Sequence, residues 1–270
     1  RVDETVIADG EGSVRLAAES GSLEVHSDIS SNTGRITLIG VSRIELIAGI
    51  SVSTTTDISL KSSSGGIEVH GTATVEAADS NLRLAAEDDI VVGNLIAANV
   101  SLYSASGAIV NAVDSSLNVT ADQLRLEAQA NIGVSGRHLS VDVDTLTAES
   151  KGGSIFITAE SGVVIGTVAV SVEELTSDAG VTDSSDSSQS GLLAHDNGDI
   201  VLVVLDGSIA VGALVEANGE GRILVSAETG ALSLESNILS GSGLISLHAH
   251  ESITVGESIV IETAADISLE

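Results

Sequence analysis

Gly12-Ser13-Val14-Arg15-Leu16-Ala17-Ala18-Glu19-Ser20-Gly21-Ser22-Leu23-Glu24-Val25 decides the fold. It holds two short stretches in which apolar residues alternate with polar or small ones, joined by a Glu-Ser-Gly turn. Alternation with period two sends successive side chains to opposite faces, the mark of a half-buried strand. The stretch recurs. Gly221-Arg222-Ile223-Leu224-Val225-Ser226-Ala227-Glu228-Thr229-Gly230-Ala231-Leu232-Ser233-Leu234 matches it position for position, and Gly153 to Gly162 matches its first ten positions.

The first apolar residue of each copy serves as an anchor. The anchors are Val14, Ile36, Ile58, Leu82, Val100, Leu124, Ile155, Ile200, Ile223, Ile245 and Ile267, at intervals of 22, 22, 24, 18, 24, 31, 45, 23, 22 and 22. The interval of 31 reads as one coil with extra residues. The interval of 45 reads as two coils, or as one with a large insertion. A second apolar pair follows eight or nine residues after most anchors, as at Leu23/Val25, Ile44/Leu46 and Ile67/Val69. A third, weaker site follows at Ile29, Ile50 and Val75.

A strand-turn-strand unit of about 22 residues cannot bury its apolar side alone, whereas stacked copies make one continuous core. The expected fold is therefore all-β, a right-handed parallel β-helix of about 11–12 coils. Handedness follows from the general rule for parallel crossovers. The expected organisation is coils over 1–175, a polar loop or insertion over 176–199, and coils over 200–270 continuing the same solenoid. The loop is suggested by Thr176 to Ser190, a polar run of low complexity.

Composition agrees. The 270 residues include no Pro, Cys, Met or Trp, and one each of Tyr and Phe. Proline lacks the N–H that an inner strand donates to its neighbour, so a stacked ladder excludes it. Without cysteine there is no disulfide, thiolate metal site or Cys nucleophile. The 39 acidic residues against 10 basic ones give a net charge of −29. That argues against nucleic acid, which is held by clustered Lys and Arg. No apolar run is long enough for a membrane-spanning helix, so membrane insertion is not expected. The chain opens on Arg1-Val2-Asp3-Glu4 and closes in mid-pattern on Ile267-Ser268-Leu269-Glu270. The expectation is a segment of a longer rod, or ends that pair with other copies.

The repeat resembles a known group. Residues 12–25, and Asp57-Ile58-Ser59-Leu60 through Gly66-Ile67-Glu68-Val69, look like the repeats of filamentous-haemagglutinin-type exoproteins. Leu139 to Ala148, followed by Gly153 to Thr158, is similar to giant bacterial β-strand-repeat surface proteins. The resemblance implies secretion to the cell surface or beyond and a role as adhesin shaft or extracellular filament. Their proline-containing secretion domain has no counterpart in a chain without proline.

Candidate chemistry is sparse. Glu24, Glu45 and Glu68 hold the outward middle position of the second strand in three consecutive coils. Stacking would align them about 5 Å apart. Such a column either splays into solvent or gathers a hard cation such as Ca²⁺. Asp178, Asp183 and Asp186 in the polar run present the same choice. His26 and His70 follow matching strands, and His248 and His250 form an i, i+2 pair, with no third metal ligand indicated. Polysaccharide-cleaving enzymes share this fold, but only Asp88-Asp89 offers paired carboxylates beside a strand, and sugar-stacking rings are nearly absent. The expected function is thus non-enzymatic: a structural shaft that continues or assembles end to end. The alternative is an adhesin module that contacts a cell-surface or matrix glycan through the 176–199 segment or one flat face. No cofactor is expected apart from a possible Ca²⁺.

Overall fold

The structure, a computed structural model, describes residues 1–113 and 115–270. Among the described residues every regular element is a strand. The coil strands pair in parallel with partners about 23 residues away, the arrangement of a β-solenoid. The chain forms two compact units, Arg1–Asp122 with Ala169–Ser187, and Gln123–Val168 with Ser188–Glu270. About eleven turns are counted over both.

In the first unit each turn contributes a strand to three stacks. The first stack holds Val14–Ala18, Ile36–Gly40, Ile58–Ser62 and the second halves of Thr74–Ala86 and Asn94–Ser104. The second holds Ser22–Val25, Arg43–Leu46, Ile67–Val69, Ile90–Val92 and Ile109–Asn111. The third runs from Val6–Ala8 through Ile29–Ser31 and Ser51–Thr54 to the first halves of the two long strands.

Alternation sets the core. Ile36, Ile58, Leu82 and Val100 form one inward column, and Leu38, Leu60, Leu84 and Leu102 the next, all with no exposed surface. Burying each such side chain stabilises by roughly 1.5–3 kcal/mol.

Turn side chains fix the register. Asp28 Oδ1 accepts the Ser51 N–H at 2.8 Å, and Asp89 Oδ1 accepts the Ala108 N–H at 2.7 Å. Ser13 Oγ accepts from Arg35 N at 3.0 Å. Each bond joins one turn to the next. A one-residue slip would break it and also turn the apolar columns outward.

The second unit repeats the plan. Ile155–Ala159, Ile200–Val204, Ile223–Ala227, Ile245–Ala249 and Ile267–Leu269 form one stack. Val163–Ile165, Ile209–Val211, Leu232–Leu234 and Ile253–Val255 form the second. The last part of Leu139–Ser150, then Leu192–Ala194, Val215–Ala217, Ile238–Ser240 and Ile261–Glu262 form the third. Asn131 Oδ1 accepting from Ser154 N, and Asp199 Oδ1 from Arg222 N, both at 2.8 Å, pin the register as in the first unit.

Both irregular intervals now have a physical account. Ile155 pairs directly with Ile200, so the interval of 45 is one turn carrying an insertion. The interval of 31 arises because Leu124 is not in the Ile155 stack. Ile132 pairs with Ile155, and Leu139 with Ile157. A tight excursion, closed by Val134 and Arg137 bonding to each other's backbone, brings Ile132 and Leu139 to the same stack. The chain around Ala128 lies beside Ser150 instead, where Lys151 N donates to Ala128 O at 3.0 Å.

The insertion differs from the loop expected over 176–199. It opens earlier, with the antiparallel hairpin Ser171–Leu175 and Val181–Ser185. Flanking it in sequence, Thr167–Val168 and Gln189–Ser190 form a short antiparallel neck. Leu192–Ala194 is already back in a coil stack. The polar run masked this, because the apolar alternation of Val168, Val170 and Val172 reads as coil and the run after it as loop.

One corner of the second unit requires glycine. Gly153, Gly198, Gly221 and Gly243 lie on successive turns. A Cβ on Gly221 would sit 2.2 Å from Gly198 O, and one on Gly243 2.0 Å from Gly221 O. Gly221→Ala must push two turns apart. We expect a loss of about 1–3 kcal/mol, the usual range for overpacking, read as a lower urea midpoint for the second unit.

Candidate functional site

The carboxylate column is real in register. Glu24 pairs with Glu45, and Glu45 with Glu68, on adjacent strands. Arg43, beside it, places Nη1 3.4 Å from Glu45 and Nη2 against Glu68. His26 Nε2 lies 3.6 Å from Glu24. The guanidinium thus supplies positive charge where a cation was considered. An open groove of about 450 Å³ beside it is lined by Arg43, Glu68, Asp88, Asp89 and Ser106. Asp89 Oδ1 is spent on the Ala108 N–H, and Asp88 Oδ1 accepts from Ser106 Oγ at 3.2 Å. Both carboxylates are thereby committed to holding turns.

The three insertion aspartates go separate ways. Asp178 takes the Thr176 hydroxyl at the hairpin turn. That bond, then the N–H groups of Asp178 and Gly180, hold its carboxyl below its ordinary value. Asp183 is exposed on the outer strand, opposite Glu173. Asp186 is buried against the coils. Among the described residues no group of three His, Asp or Glu is placed to hold a metal ion. His248 Nδ1 lies 3.2 Å from Ser226 Oγ, while His250 follows the end of its strand. His70 Nδ1 lies 3.3 Å from the Thr72 hydroxyl.

The site that sequence reasoning missed lies under the hairpin, within the first unit. The outward column of the first stack reads Arg15, Thr37, Ser59, Arg83 and Ser101. Open to water, such a column needs no partners. Here Ser59 and Ser101 have no exposed surface, Thr37 is 1% exposed and Arg83 8%. Burying these groups is tolerable only if each is hydrogen-bonded, and the hairpin supplies the partners. Arg83 grips Asp186 through two parallel bonds, Nε–Oδ2 at 2.9 Å and Nη2–Oδ1 at 2.8 Å. Ser101 Oγ donates to the same carboxylate at 2.7 Å. Ser59 Oγ donates to Glu174 at 2.8 Å, and Thr37 Oγ1 accepts from Leu175 N at 3.0 Å. Asp57 Oδ2 accepts from Glu173 N at 2.8 Å, Asn81 Nδ2 donates to Ser171 O at 2.8 Å, and Arg15 Nε donates to Leu175 O at 3.1 Å. Arg35 pairs with Glu173 near the hairpin tip. One hairpin is therefore bonded to five successive turns.

The available signal was chemical mismatch: two acidic residues, Glu173 and Glu174, end the last coil-like alternation, and Arg83 stands among small residues in its own column. Neither shows in a hydropathy pattern.

The second unit has its own buried charge cluster. Glu127, 12% exposed, lies between Arg125 and Lys151. Burial pushes its carboxyl up. Hydrogen bonds from Lys151 and Arg125, with their charges, outweigh this and hold it below its ordinary value of 4.5. A depressed folded value stabilises the fold above about pH 4.5 and ceases to do so as pH falls through the depressed value. Glu127→Gln should therefore flatten the acid limb of stability, measured as the urea midpoint between pH 7 and about pH 3.

The arrangement can hold strands, register and a hairpin. No family model, curated protein or solved structure matches the chain.

Proposed function

We propose that the chain is a structural segment of a secreted filament or giant surface-adhesin shaft, non-enzymatic and extracellular, as the resemblance of its repeats to filamentous-haemagglutinin-type exoproteins suggests. The observation that carries the reading is the register-matched stacking of apolar columns in both units, with their polar groups committed to joining turns. A solenoid of this kind transmits order along its axis, since each turn contacts chiefly its neighbours.

The net charge of −29 opposes association at low salt. Screening shortens the range of that repulsion from about 30 Å at 0.01 M to about 8 Å at 0.15 M. Light scattering should therefore rise with added NaCl, and more steeply with millimolar Ca²⁺ if the Glu24/Glu45/Glu68 column binds it. A scattering mass that stays at one chain across that salt range would count against self-association.

A second reading, an adhesin module for a cell-surface or matrix glycan, is favoured by one observation. The hairpin is an ordered projection whose outer strand, Val181–Ser185, is largely exposed and bears Val181 and Asp183. Saturable binding on a glycan array, lost when residues 177–184 are replaced by Gly-Ser sequence, would favour that reading over the shaft.

A further inference from the structure

The molecule carries only 10 basic residues, and Arg15, Arg35 and Arg83 all lie where the hairpin docks. The hairpin brings Glu173, Glu174 and Asp186 to meet them. Two copies of a chain with a net charge of −29 repel over most of their surfaces. An acidic hairpin on an arginine-bearing face is the contact whose charges attract. It is also a contact that any copy can offer to any other, because the hairpin is tied to the face by noncovalent bonds alone.

The local construction suits exchange. The chain leaves the second unit after Val168, lies in the first unit over Ala169–Ser187, and returns at Ser188. Its neck is a ladder of only two residue pairs, Thr167–Ser190 and Val168–Gln189. The tip is not flush with the coils: a groove of about 530 Å³ remains between Arg15, Arg35 and residues 175–181. The central contact, by contrast, is specific. Arg83 and Ser101 together read one carboxylate through three charge-assisted bonds, and Ser59 reads a second.

We propose that the hairpin is exchangeable between copies, so that the face of one chain binds the acidic hairpin of a second copy and links two chains side by side. Exchange of an identical element is a low-cost route to a dimer, since each bond made within one chain is remade between two. This lateral link is independent of end-to-end stacking and does not rest on the filament reading.

Charge reversal tests it. Arg83→Asp sets two acids against each other, and Asp186→Arg sets two arginines. Neither chain can satisfy the contact by itself, but a reciprocal pair can satisfy it twice. The two variants, refolded together from denaturant at equal concentration, should yield a species of twice the mass of one chain that contains both. The doubly reversed single chain, Arg83→Asp with Asp186→Arg, should fold with its own hairpin docked and shows whether the reversed pair fits. A co-refolded mixture without the two-chain species, alongside a folded double variant, overturns the proposal. If the reversed pair is not accommodated, wild-type chains bearing two different tags decide. Co-refolded at high concentration, they should give a two-tag species, lost when residues 171–185 are replaced by a Gly-Ser linker that leaves no hairpin to exchange. Absence of that species, or its persistence without the hairpin, overturns the proposal.

Discussion

Arg83→Ala should release the hairpin and destabilise the first unit by about 3–5 kcal/mol, because it leaves a buried carboxylate without its cation. Asp186 is 8% exposed and Arg83 10% at the side chain, so water cannot take over the lost partner's role. Arg83→Lys should recover only part of the loss. An ammonium presents one point charge where the guanidinium makes two parallel bonds. The readouts are the urea midpoint and amide exchange. In the native chain Glu173 N and Leu175 N, bonded to Asp57 and Thr37, should exchange slowly. In Arg83→Ala both should exchange close to the rate of a free hairpin. Unchanged protection there would mean that the hairpin is held by its apolar residues, Val170 and Val172, and not by the ionic contact.

Leu60→Ala should cost about 2–5 kcal/mol, the range for deleting a fully buried leucine. Leu60 has no exposed surface and is stacked between Leu38 and Leu84 on consecutive turns. The cavity would open on both neighbours, and they cannot collapse inward without breaking register bonds such as Asn81 N to Asp57 Oδ1 at 3.1 Å. Thermal or urea unfolding measures the loss. Protection should fall first in the turns around Leu60, since coupling in a solenoid decays from neighbour to neighbour. A loss below about 1 kcal/mol would mean that the columns are loosely packed and the interior is not a jigsaw of stacked leucines.

The coil was legible because one rule, alternation every two residues, was written many times over. Val14, Ile36 and Ile58 sit where the spacing put them, and Glu24, Glu45 and Glu68 line up as expected. Leu124 misled because its Leu-Arg-Leu context copies that of Leu82, and because Ile132 and Val134, at the excursion that resets the frame, read as the second apolar pair of the same coil. The insertion was seen but misbounded, since Val168, Val170 and Val172 alternate like any coil strand. Its docking was invisible. Arg83 and Asp186 are 103 residues apart, and nothing local in either neighbourhood names the other. Long-range ion pairs are set by where the backbone brings charges. Periodicity supplies the backbone plan and leaves those pairings unstated.

The most direct test of the shaft reading is cryo-electron microscopy of the chain, purified without denaturant and concentrated at physiological salt. Continuous fibres should appear, with a strand spacing of about 4.8 Å along the axis that runs unbroken from one copy to the next. Discrete particles of one chain each, at every concentration tried, would contradict end-to-end stacking of these coils.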